Sequence, residues 1–291
     1  MSTDSRSIDS SADDHYTDRA QDDWLVELLA SAALEGEDDQ DDNLVDADLR
    51  GAYLRGAELK DTDLSGSDLS GADLIGADLT DANLQDATLN GAYLIDADLT
   101  GADLTSADLV GAYLTGADLT GVCFASADLT RARLTGASLA DSDLSLSDLS
   151  DSDLTDADLT GVDLAGAGLF AADLLRATLV GADLTDACLA DADLTDARLA
   201  GADLTGADLT DACLADADLT GADLTRADLT RADFSDATLR RADLTDAEIT
   251  YADFTGSDLT RAALDLSDLS FDPRYDETTT WPDGSHIPPS A

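Results

Sequence analysis

The sequence predicts one elongated solenoid that turns a corner every five residues, and three observations carry that prediction. From Leu44 to Leu269 every fifth residue is large and apolar, an unbroken series of 46 positions of which 42 are Leu, completed by Phe124, Phe234, Phe254 and Ile249. Two residues before each of these centres stands Ala, Ser, Thr or Val, with Asp42 the single exception. Gly and Asp dominate the position two after the centre, and Thr and Ser the position directly after it. An α-helix cannot use this pattern, because five residues advance about 500° and scatter the leucines around the cylinder. A straight strand cannot use it either, since an odd step puts successive leucines on opposite faces. A chain that bends once per word keeps every Leu and its small companion inward. It then places turn-forming Gly and Asp at the corners and Thr or Ser on a short extended segment.

Words such as ADLTG at 117–121 and ADLTD at 207–211, repeated in tandem without insertion, closely resemble the A(D/N)LXX repeats of the pentapeptide repeat family. The resemblance covers residues 42–271, about four fifths of the chain. It implies an all-β fold, a right-handed quadrilateral β-helix with four words per coil. At 20 residues per coil the 230 residues make about 11.5 coils, a rod of roughly 55 Å at about 4.8 Å per layer. A solenoid of this kind is stable through stacking of neighbours and needs closed ends.

The flanking elements follow in chain order. Residues 1–21 are polar and acidic and are expected to be disordered. Residues 22–41 are expected to form a capping helix and linker. DDWLVELLASAAL at 22–34 reads as an amphipathic helix with acids at its N-terminus and Trp24, Leu25, Leu28, Leu29 and Ala32 on the apolar face, stopped by Gly36. It either covers the first coil or docks on a partner. Beyond the rod, residues 272–291 are expected to be an irregular C-terminal cap and tail. FDPRYDETTTWPDG at 271–284 leaves the register and brings Phe271, Tyr275 and Trp281 near the last coil. It is similar to the Tyr-acidic…Thr-x-Trp-Pro-acidic-Gly tails that close many pentapeptide repeat proteins, and reads as a lid.

Composition narrows the function. No apolar run approaches membrane-spanning length, and the acidic start lacks the basic and apolar regions of a secretory signal, so a soluble, cytoplasmic protein without membrane contact is expected. Cys123, Cys188 and Cys213 each stand directly before a core residue and form no CxxC pair, which indicates free thiols and neither a disulfide framework nor a zinc site. His15 and His286 lie outside the repeats, there is no phosphate-cradling glycine loop, and the carboxylates recur with the period of the fold. No catalytic, metal-binding or cofactor-binding residue is therefore assigned, and the protein is expected not to be an enzyme. Basic residues are sparse and scattered, which argues against direct binding of nucleic acid.

The acid is the conspicuous feature. The chain carries a formal charge of −49, of which residues 42–271, with 47 acidic and 12 basic side chains, contribute −35. Of the 46 positions just before a core residue, 28 are Asp and two are Glu. With 20 residues per coil, Asp143, Asp163, Asp183, Asp203, Asp223 and Asp243 would stack in one acidic column, neighbours repelling by about 1 kcal/mol even in a water-like dielectric. Two explanations compete, beside the local one that a short polar side chain bonds to nearby backbone. The first is mimicry of nucleic acid. Members of the family that protect type II topoisomerases from quinolones resemble DNA in shape and charge, and about 55 Å of B-DNA holds roughly 32 charges at one per about 1.7 Å. The second is adaptation to high salt, where a Debye length of about 3 Å at 1 M quiets the repulsion. A content of 14 Arg against the single Lys60 fits the second, as do terminal segments as acidic as the rod.

Departures from the pattern mark candidate contacts. Tyr53, Tyr93 and Tyr113 fall in one column, with Ile75 and Ile95 on the same side. They are either a partner-contact strip or a tyrosine ladder packed on itself. In the coil 161–180 the positions after the core read Ala165, Phe170, Leu175 and Val180 in place of Thr, either a girdle for self-association into a homodimer or drift. The expected role is a non-enzymatic interaction surface or scaffold for an unidentified protein partner. The alternatives are a DNA mimic acting on a type II topoisomerase such as gyrase, and a purely structural spacer.

Overall fold

The computed structural model describes residues 44–264 and 273–282. The acidic segment 1–21, the helix expected at 22–34, the linker expected to 41 and Phe271 lie outside the described residues.

Parallel bridges tie each residue before a core position to the one twenty residues further on, without a break from Asp48↔Asp68 to Asp243↔Ala263. A coil therefore contains four words, and the positions before the core form four columns, one on each side of the coil. A single word shows how the backbone is satisfied. In residues 77–81 the Ala77 amide donates to Leu74 O at 3.0 Å across the corner, Asp78 to Ala57 O at 2.9 Å in the preceding coil, and Leu79 and Asp81 to Asp98 O at 2.7 Å and Thr100 O at 3.0 Å in the next. The remaining amide, that of Thr80, donates to Asp78 Oδ1 at 2.9 Å. All five donors have partners, as a buried backbone demands.

The corner explains the preference for Gly and Asp. Every fifth residue from Asp46 to Arg261 has a positive φ, between 54° and 74°. The bond from Ala77 N to Leu74 O closes a four-residue turn whose third residue is Asp81's counterpart, Gly76, with a φ of 64°, as a type II turn requires. Glycine meets no Cβ penalty there, and the short polar side chain of Asp is the commonest substitute. Bulkier exceptions are Leu146, Tyr251 and six arginines: Arg131, Arg176, Arg226, Arg231, Arg241 and Arg261.

Inside, the leucines and their small companions form one continuous core from Leu49 to Ala262, with Trp281 joined to it. At three of the five buried Ser that replace Ala at the small position the hydroxyl turns back to the corner carbonyl: Ser142, Ser147 and Ser257 donate to Leu139, Leu144 and Phe254 O at 2.6, 2.6 and 2.8 Å. At the C-terminal end the register slips but pairing continues, through Asp253↔Arg274 and Asp258↔Thr280. Phe234 and Phe254 stack at 5.3 Å, Trp281 tilts onto Phe254 at 6.5 Å, and Tyr275 meets Trp281 edge-on at 5.2 Å. The Thr279 hydroxyl donates to Phe254 O at 2.9 Å.

Candidate interaction surface

Most of the acid on the rod has a local structural task. Each of the 27 aspartates that stand before a core residue between Asp48 and Asp258 accepts, on Oδ1, the backbone amide two residues on, at 2.9–3.4 Å. In many words the hydroxyl of the same Thr or Ser adds a second bond, as Thr80 Oγ1 does to Asp78 Oδ1 at 2.6 Å. These bonds hold the Asp78 carboxyl below the usual carboxylate range. At Asp103 burial pushes upward, but the Thr105 hydroxyl and amide and the Gln85 side chain outweigh it and the carboxyl is again lowered. Asn83 does the same work uncharged, accepting the Gln85 amide at 3.1 Å. The column from Asp143 to Asp243 is aligned by successive bridges, and all six of its members are tied inward in this way.

The three cysteines are free and half-buried, and their bridges put them in three different columns. Among the described residues no group of three His, Cys, Asp or Glu is placed to hold a metal ion. Among the same residues no helix is long and apolar enough to cross a membrane.

The tyrosine strip resolves into two parts. Successive bridges join Tyr53, Asp73, Tyr93, Tyr113 and Arg133 in one column. Tyr93 and Tyr113 stack with ring centroids 4.9 Å apart and planes at 11°, and the Arg133 guanidinium carbon lies 4.8 Å from the Tyr113 centroid. That half is the self-packed ladder. Tyr53 stands on the other side of Asp73, and between them opens a groove of about 360 Å³ lined by Gly51, Tyr53, Arg55, Gly71, Asp73, Ile75 and Tyr93. Tyr53 is 54% and Tyr93 41% exposed, whereas Ile75 and Ile95 are half-buried. Arg55 crosses the groove to Asp73 Oδ2, with Nη2 at 3.0 Å and Nε at 3.3 Å.

The structure thus brings Tyr53, Ile75 and Tyr93 around one depression and leaves Ile95 and Tyr113 outside it. Sequence reasoning missed Arg55 and Asp73. The signal was available, because Asp73 is twenty residues from both Tyr53 and Tyr93. The other candidate is distributed around the coil and does not form one patch. Phe170, Leu175 and Val180 belong to the words whose residues Gly168, Asp173 and Thr178 pair in three different columns, so they face three sides of the coil. Phe170 is exposed and the other two are half-buried. Leu146, at a corner and 69% exposed, is a further outward apolar residue that the sequence reading passed over.

The family model of Pentapeptide repeats matches this chain in eight copies, over residues 43–81, 82–121, 127–166, 147–186, 187–226 and 222–261. No curated protein matches it. Among solved structures the chain is similar to HetL, a pentapeptide repeat protein involved in heterocyst differentiation regulation from the cyanobacterium Nostoc. The identity is 36% over 78% of this chain and 94% of HetL, with a TM-score of 0.50. It is also similar to a trypsin-treated form of QnrB1, a plasmid-mediated fluoroquinolone resistance protein. There the identity is 20% over 63% of this chain and 92% of that one, with a TM-score of 0.45.

Proposed function

The chain belongs to the pentapeptide repeat family, and from that premise we propose that it is a non-enzymatic, soluble cytoplasmic rod that presents an interaction surface to another protein. The contact is centred on the groove between Tyr53 and Tyr93. The groove is the observation that carries this reading. At most other outward positions Asp and Thr recur in service of the backbone, whereas here two exposed tyrosines, an isoleucine and an Arg–Asp pair converge. Aromatics and arginine are the side chains that most often dominate binding energy at protein interfaces. The likeness to HetL, a protein involved in regulating differentiation, is in keeping with a role exercised through contacts.

The acidity is best read as adaptation to high salt. Amide capping calls for a short acceptor but not for a charge, and Asn83 supplies one without charge. Yet the 46 positions contain 28 Asp and only two Asn, Asn43 and Asn83, beside an Arg-rich, Lys-poor basic set.

The test compares the wild-type chain with Tyr53→Ser/Ile75→Thr in capture from the native lysate at native salt. Neither residue belongs to the stacked pair, so the variant should melt close to wild type, within about 0.5 kcal/mol. A protein retained by wild type and lost from the variant supports the reading. Equal retention by both, or a variant that melts several degrees lower, removes it.

A further inference from the structure

The groove is one rung of a ladder wide. Its column stacks planar groups at the spacing of the coils: Tyr93 on Tyr113 at 4.9 Å, then the Arg133 guanidinium over Tyr113 at 4.8 Å. A guanidinium is therefore already an accepted rung. At Asp73 the stack is interrupted, because a short carboxylate stands where a ring would continue it. Tyr53 and Tyr93 are two layers apart, roughly 9.6 Å at about 4.8 Å per layer. A planar group midway between them would lie about 4.8 Å from each ring, the separation found in the filled part of the same column. Gly51 and Gly71 keep the walls open, with nothing within 4 Å of where a Cβ would stand on either.

We propose that the Asp73 rung is a binding slot for the guanidinium of an arginine side chain on a partner protein, sandwiched between the rings of Tyr53 and Tyr93 above the Asp73 carboxylate. This rests on the interaction-surface reading and names its chemistry. Charge selects a cation, because the chain carries −49. Shape selects arginine, since a flat guanidinium stacks on two aromatic faces while a compact ammonium cannot fill the slot. Asp73 has acceptor capacity to spare. Oδ2 takes Arg55, and Oδ1 takes the Ile75 amide at a long 3.3 Å, whereas a carboxylate offers about four lone-pair sites. Arg55 is the resident competitor, so the incoming arginine displaces it or shares its acceptor.

The experiment follows tyrosine ring resonances by NMR in the full chain at molar salt during titration with N-acetyl-arginine amide, with the lysine analogue as control. The arginine derivative should shift the Tyr53 and Tyr93 rings saturably, and the lysine derivative should not. Asp73→Tyr, which fills the rung, should abolish the response while keeping or raising the melting point. Asp73→Asn, which keeps an amide acceptor as Asn83 does, should weaken binding threefold or more. Arg55→Ala should tighten it by a similar factor. An equal response to lysine, an undiminished response in either Asp73 variant, or loss of binding in Arg55→Ala would overturn the slot, the last because it would make Arg55 part of the binding face and not a competitor for Asp73. Partner capture that depends on Tyr53 without any arginine response overturns the slot alone. An arginine response without partner capture leaves the slot and removes the interaction-surface reading.

Discussion

Replacing Asp183, Asp203 and Asp223 with Asn tests what charge does in the acidic column. The replacement removes four neighbour pairs, Asp163–Asp183, Asp183–Asp203, Asp203–Asp223 and Asp223–Asp243. Neighbours one layer apart, about 4.8 Å, repel by roughly 0.9 kcal/mol in a water-like dielectric. With Debye lengths of about 10 Å at 0.1 M and 3 Å at 1 M, roughly 0.5 and 0.2 kcal/mol of that survive per pair. The variant is thus relieved of roughly 2 kcal/mol at 0.1 M and 0.7 kcal/mol at 1 M.

An opposing effect sets the sign. Asn still accepts the following amide but gives up the charge that strengthens the bond. At Asp223 the Thr225 hydroxyl and amide, with the Thr205 hydroxyl, hold the carboxyl below its usual range, so the charged form is the one the fold favours. Losing that assistance costs on the order of 0.5–1 kcal/mol per site and depends far less on salt. Over three sites that is about 1.5–3 kcal/mol, so the variant should lie within about 1 kcal/mol of wild type at 0.1 M and about 1–2 kcal/mol below it at 1 M. The gap should move by roughly 1.3 kcal/mol between the two salt concentrations. Denaturant unfolding followed by circular dichroism across the salt series reads this directly. Parallel salt dependences for the two proteins would refute the argument.

Two further predictions concern the ends of the pH scale and of the rod. Asp78, Asp103, Asp223 and Asp258 all have folded pKa values below their unfolded ones, so their contribution is present above about pH 4 and lost as pH falls through the folded values. At molar salt, where repulsion is screened, the melting point should fall below about pH 4, and a rise on acidification would contradict the hydrogen-bonding account. Trp281 is 4% exposed against Phe254 and Tyr275, and Trp281→Ala should cost about 3 kcal/mol. The loss should appear first as faster amide exchange in residues 239–263, and an exchange pattern unchanged there would show that the contact does not hold the end.

The pitch, the core and the corners were legible because the backbone imposes the same requirement on every word. A fifth residue at positive φ and an inward Leu are needed forty-odd times, and random drift cannot erase a signal of that length. What stayed hidden depends on neighbours twenty residues away. Reading along the chain grouped the large apolar residues Tyr53, Tyr93 and Tyr113 and passed over Asp73, whose small size between the rings is what makes the groove. The same corners turn Phe170, Leu175 and Val180, near in sequence, onto separate sides of one coil. The two readings offered for the tyrosines were also not exclusive. Tyr93 and Tyr113 pack on each other, while Tyr53 faces the opening.

Whether the acid mimics DNA turns on what the carboxylates face. A mimic needs anions free to meet the groups that bind phosphate. Here, among the described residues, one oxygen of every aspartate before the core is turned back to its own chain, and the words that carry the charge are also the words that need an acceptor. A count of charges per length, close though it comes to that of a duplex, therefore overstates what the surface presents. The spare acid that amide capping does not explain is the choice of Asp over Asn, and that choice is made along the whole rod and repeated in terminal sequences outside the coil. A binding site would concentrate it on one face. Charge spread over every side is what the proposed adaptation to salt calls for, and on the proposed function specificity is to be sought where the pattern breaks, at Asp73 between its two tyrosines.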